Sequence, residues 1–64
     1  MVDVRERLLR RKEVEGLVGL SRSSIYYLMA KGEFPRPVRL AQRAVAWSES
    51  AVLEWIASRS MATQ

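Results

Sequence analysis

The tripeptide Gly19-Leu20-Ser21 lies between two apolar stripes of helical period, and it constrains the chain more than any other feature. Before it, Val14, Leu17 and Val18 fall at i, i+3 and i+4; after it, Ile25, Leu28 and Met29 repeat the spacing. Each set therefore lies on one face of a helix. Glu13 and Glu15 sit in the first turns of the first helix, which begins at Arg11, and carboxylates there suit the positive end of the helix dipole. Gly19 ends that helix, because glycine accepts the left-handed conformation common just past a helix end. Ser21 is a good N-cap for the second, since its hydroxyl can accept from an orphan backbone N–H. This second helix runs to about Lys31 and stops at Gly32. Leu20, apolar within the connection, plugs the gap between the two. Two helices joined by so tight a turn read as a helix-turn-helix, although the spacing alone also fits an ordinary helical hairpin.

Beyond Gly32, Phe34-Pro35-Arg36-Pro37 must be extended, because proline has no N–H and biases its predecessor away from the helical region. Val38 and Leu40 alternate with Arg39, and Val45 and Trp47 alternate with Ala46, so two short strands flank the tip Ala41-Gln42-Arg43-Ala44. That is a hairpin, or wing, with Val38 and Leu40 on an apolar face and Arg39 directed away from it. Ser48 caps a last helix carrying a third stripe, Val52, Trp55 and Ile56, which fades near Ser60. Leu8 and Leu9 fit one more short strand. The expected fold is mainly α with a small antiparallel β-hairpin: a winged helix-turn-helix of three helices plus wing over residues 8–60. A loose arm over 1–7 precedes it and a polar tail over 61–64 follows. Its core is expected to hold Val14, Leu17, Leu20, Ile25, Leu28, Phe34, Val38, Trp47, Val52, Trp55 and Ile56.

A chain of 64 residues has room for one small core, and with no cysteine and no histidine that core must hold by packing alone. The same absences exclude disulfides, Cys/His zinc sites and His- or Cys-based catalysis. No triad, acid/base pair or phosphate-cradling glycine loop is present, so no catalytic residue, metal or cofactor is expected. The longest apolar runs are a few residues, far short of the roughly 20 that a membrane span needs, which points to a cytoplasmic protein.

Eleven basic against seven acidic residues give a net charge of +4, which favours a polyanionic partner. Residues 1–20 carry five basic and four acidic groups, and residues 44–64 carry one basic and two acidic. Residues 21–43 hold Arg22, Lys31, Arg36, Arg39 and Arg43 against Glu33 alone, so the excess lies in one central segment. With Ile25, Leu28 and Met29 facing inward, a step of about 100° per residue puts Ser23, Tyr27, Ala30 and Lys31 on the opposite face of the second helix, flanked by Ser24 and Tyr26. That face combines hydrogen-bonding groups of mixed length with no bulky aliphatic side chain, which suits a major groove. Arg22, Ser23 and Ser24, at the start of the helix, are placed to meet bases or phosphates. Tyr27 either joins them or packs on the wing, while Tyr26, nearer the buried edge, reads as structural. Arg36, Arg39 and Arg43 on the hairpin either contact phosphates or a narrow minor groove, or keep an exposed hairpin soluble and unpaired. Phe34, Trp47 and Trp55 fall on the apolar phase of their elements and read as core.

Leu8-Leu9-Arg10-Arg11-Lys12-Glu13-Val14, Gly19-Leu20-Ser21-Arg22-Ser23-Ser24-Ile25-Tyr26, Gly32-Glu33-Phe34-Pro35-Arg36-Pro37-Val38, and Trp47 with Val52 and Trp55 together resemble the AlpA family of phage-associated regulators. These are relatives of the excisionases within the MerR-like winged-helix group. The resemblance covers about residues 8–59. It implies sequence-specific binding of double-stranded DNA through Arg22, Ser23, Ser24 and Tyr27 in the recognition helix and Arg43 in the wing. Family members often carry a basic residue where Tyr27 stands and a glycine at the wing tip, so neither base preference nor the aim of Arg43 transfers. Three functions follow as expectations: a transcriptional regulator, an excisionase-like recombination directionality factor, or a protein-binding adaptor that inhibits a regulator. An adaptor calls for a large exposed apolar patch on the second helix. With the three stripes used in the core, the chain is expected to be a monomer in solution. Adjacent copies can touch on repeated DNA sites, and integrase or the transcription machinery would be the protein partner.

Overall fold

In the computed structural model, which describes residues 6–59, the chain order is β1 (Leu8–Leu9), α1 (Arg11–Val18), α2 (Arg22–Ala30), β2 (Val38–Ala41), β3 (Ala44–Ser48) and α3 (Glu49–Ser58). The helix limits follow local chemistry. The backbone N–H of Arg10 donates to Glu13 Oε1 at 2.9 Å, closing the start of α1, and Gly19, at φ 73°, donates to Glu15 O at its end. Ser21 Oγ accepts from the Ser24 N–H at 3.2 Å to cap α2, as Ser48 Oγ accepts from Ala51 at 3.1 Å to cap α3. At the end of α2, Gly32 takes φ 71°; its N–H reaches Met29 O while the Glu33 N–H reaches Leu28 O. This is a Schellman motif, which turns the chain sharply into the proline-containing connection.

The sheet has three strands in the order β1-β3-β2, both pairings antiparallel, and so is larger than a hairpin alone. Leu8 pairs with Ser48 and Leu9 with Trp47, which makes β3 the central strand. Helices α1 and α3 both pack on β3, and its neighbouring residues Ala46 and Trp47 are both fully buried. Consecutive residues of a strand point to opposite faces, so β3 is covered on both sides. At the other edge β2 is exposed along its whole length. The wing closes through Gln42-Arg43, and no non-glycine residue among those described has a positive φ. Two-residue hairpin turns usually rely on left-handed residues to match strand twist. Here the register instead shifts between Arg39 and Ala41, where Ala41 comes to face Ala44.

Leu9, Val14, Ile25, Phe34, Trp47 and Val52 form the buried core, with Leu20, Leu28, Val18, Met29, Val45, Trp55 and Ile56 packed partly buried around it. Two residues expected inside are outside. Leu17 is 43% exposed, because the short helix α1 turns Val14 and Val18 inward and leaves Leu17 at the edge of that stripe. Val38 is 36% exposed, and Leu40 more so, because they stand on the outer strand, whose main neighbour is β3. Leu9 and Ala46 take inward places that the sequence reading did not assign. The two tryptophans fasten the connection between α2 and the wing: Trp47 Nε1 donates to Pro35 O at 3.0 Å and Trp55 Nε1 to Glu33 O at 2.7 Å. Phe34 meets Trp55 edge-on, with ring centroids 4.8 Å apart.

At the end of the expected arm, Glu6 accepts from the Ser50 N–H and hydroxyl, and Arg7 pairs with Glu13 and Glu49. Most of that arm, residues 1–5, lies outside the described residues, as does all of the expected tail over 61–64. Among the described residues, no helix is long and apolar enough to cross a membrane.

Candidate nucleic-acid interface

Helix α2 differs from its neighbours at its first turn. Glu13 and Glu49 stand in the first turns of α1 and α3, whereas α2 has no acidic residue there to offset Arg22, its first residue. A cation at the positive end of a helix dipole is unfavourable by roughly 0.3–1 kcal/mol at an exposed site. The Arg22 guanidinium lies over the Tyr26 ring, 5.6 Å from its centroid, a contact of about 0.5–1 kcal/mol when exposed, which offsets that cost and holds the cation in place. One turn on, Lys31 Nζ lies 5.2 Å from the centroid of Tyr27. Two aromatic rings of α2 thus each carry a cation four residues away.

Ser23 and Tyr27 are exposed, Tyr27 by 61%, so Tyr27 stands in solvent rather than packed on the wing. Ser24 is engaged at the cap: its N–H donates to Ser21 Oγ and its hydroxyl accepts from the Ser21 hydroxyl. It is half-buried and does not join the outward face. No Leu, Ile, Val or Met of α2 is exposed. The large exposed hydrophobic side chains of this helix are confined to Tyr26 and Tyr27.

Arg22 and Arg43 line one groove between α2 and the wing, together with Arg10, Arg11, Lys12, Tyr26 and Val45. Its volume is about 490 Å³, and no carboxylate lines it. Arg36, exposed on the connection, is outside this groove, and Arg39 turns back at the wing tip, where its Nη1 donates to Gln42 O at 2.9 Å. The sequence reading thus finds Arg22 and Arg43 but misses the start of α1. Counting charge by segment cancels Arg10, Arg11 and Lys12 against Glu13 and Glu15. In the fold Glu13 meets Arg7 and the Arg10 backbone, while Glu15 meets Arg11, which leaves Arg10 and Lys12 without an ion pair to any described carboxylate. Tyr26, read as structural, is 37% exposed and forms a wall of the groove, where its ring carries Arg22. The four-residue spacing of Arg22 and Tyr26 was the signal available for it.

Residues 7–60 match the family of the prophage CP4-57 regulatory protein, AlpA. The chain belongs to the AlpA family. Membership takes in every element of the fold and both sides of the basic groove. The chain is also similar to the uncharacterized protein ORF88 of Enterobacteria phage P4, 56% identical over 54 residues, which are 84% of this chain. Those residues are 61% of the phage protein, so this AlpA-family chain spans about three-fifths of its relative's length.

Proposed function

We propose that this AlpA-family chain binds double-stranded DNA sequence-specifically and acts as a small prophage-type transcriptional regulator, as a cytoplasmic monomer with no catalytic step of its own. The observation that carries this reading is the pairing of an acid-free basic groove with the outward face of α2, where Ser23, Tyr27 and Lys31 stand exposed. In the proposal Arg22 and Arg43 hold phosphates on either side of α2 and the wing. Ser23 and Tyr27 meet base edges in the major groove, through hydrogen bonds or contact with a thymine methyl. Lys31 lies further along the same helix and adds charge to it. The capped Ser24 serves by setting the first turn of α2. Arg36 and Arg39 contribute less, one lying outside the groove and the other bonded to the wing tip.

The test uses a duplex selected from random sequences and a scrambled one, each titrated at several salt concentrations. Arg43→Ala should weaken binding to both alike and make the slope of log K against log salt shallower by about 1. Tyr27→Ala should reduce the preference for the selected duplex by roughly 1–3 kcal/mol and leave the scrambled one nearly unchanged. A folded parent that binds neither duplex in a salt-dependent way refutes the DNA-binding reading.

A further inference from the structure

We propose that the start of α1 is a third DNA-binding element, and that the groove it forms with α2 and the wing seats one sugar-phosphate strand of the duplex, gripped by Arg10 and Lys12 as well as by Arg22 and Arg43. The proposal rests on the DNA-binding reading above and adds the path of the backbone and two residues to hold it.

Five cations from three elements line the groove, and their ion pairing divides them. Arg11 is held by Glu15, as Arg7 outside the groove is held by Glu13 and Glu49. Arg10, Lys12, Arg22 and Arg43 have no ion pair with a carboxylate among the described residues. A fold that gathers like charges without a counter-charge raises its own energy, and a bound polyanion removes that repulsion. The walls select the kind of anion. Tyr26 and Val45 add an aromatic ring and an aliphatic group beside the cations, surfaces that a sugar can cover and a free inorganic anion cannot use. At about 30 Å³ for each water, a groove of about 490 Å³ holds more than ten water volumes, so it does not close around one small ion. The groove also lies beside Ser23, since Arg22 and Tyr26 border both it and a shallower pocket that Ser23 lines. A strand lying in it would bring its bases alongside the outward face of α2.

The full chain is compared with the double variant Arg10→Gln, Lys12→Gln and with Arg59→Gln, which removes a cation from outside the groove. Arg10 and Lys12 are exposed and form no ion pair with a described carboxylate, so the fold should persist, as circular dichroism will check. The expected result is a salt slope shallower by about 1.8 for the double variant, near 0.9 for each phosphate no longer neutralised, with an equal fall in affinity on the selected and the scrambled duplex. Arg59→Gln should change the slope by less than about 0.5. If the double variant keeps the parent's slope while Arg43→Ala and Tyr27→Ala act as stated above, the groove assignment is overturned and the DNA-binding reading stands. A change of about 0.9 in Arg59→Gln, equal to that of the double variant per charge removed, also overturns it, because net charge rather than the groove would then set the slope. A parent that binds no duplex overturns both.

Discussion

Arg22 carries two opposing energies that can be separated from its proposed role. Its position at the start of α2 is unfavourable by roughly 0.3–1 kcal/mol, and its contact with Tyr26 returns about the same amount. Replacing it by glutamine should therefore leave the urea midpoint nearly unchanged, within about 0.5 kcal/mol of stability, while the salt slope for any duplex falls by about 0.9. A large loss of stability on Arg22→Gln would assign the residue to the fold instead. At this scale the sequence was legible where spacing alone decides. Ser21 and Ser48 cap as their types dictate, and Tyr27 faces out because Ile25, Leu28 and Met29 face in. It was not legible where two residues far apart in sequence meet: neither Arg10 and Lys12 nor Arg43 announces that the wing folds back toward the start of α1.

Among the elements, the helices could be read closely and the sheet only in part. A helix is closed by its own caps and stripe, whereas a strand's burial depends on what lies beside and above it. Leu9 and Ala46 are buried because β1 pairs with β3 and helices pack on β3, relations that the alternation of either segment does not contain. Val38 shows the converse, an apolar residue left exposed because its strand is at the edge. The glycines differ in the same way. Gly16 lies inside α1 with nothing near where a Cβ would stand, so Gly16→Ala should stabilise the domain by about 0.8–1 kcal/mol through helix propensity. Gly32 has equal space but a left-handed backbone, and Gly32→Ala should destabilise by roughly 1–2 kcal/mol. Thermal or urea unfolding should move in opposite directions for the two variants. Shifts of the same sign would contradict the assignment of Gly32 as the residue that ends α2.

For the molecule as a whole, the decisive question is what holds the wing to the helix-turn-helix, because the basic groove exists only while the two stay together. The connection contains two prolines, and backbone bonding across it is limited to what the remaining groups and the indoles supply. Trp47 and Trp55 donate to its carbonyls, but they are buried to different degrees: Trp47 is fully enclosed and Trp55 is partly exposed under Arg59, whose guanidinium lies 4.7 Å from the ring centroid. Their contributions should differ accordingly. Trp47→Ala opens a cavity at the central strand and leaves Pro35 O without its donor, a loss of about 3–5 kcal/mol. A domain of this length commonly has about 3–10 kcal/mol in all, so this variant should lose a large share of its stability and unfold at a much lower midpoint than the parent. Trp55→Ala removes a side chain that water already reaches, and roughly 2 kcal/mol is expected, leaving a folded protein with a lowered midpoint. The proposed DNA binding should follow the same order, losing more of its temperature range in the first variant than in the second. If Trp55→Ala proves the more damaging, the connection is held mainly by the Phe34–Trp55 contact, and the wing is anchored from α3 rather than from the central strand.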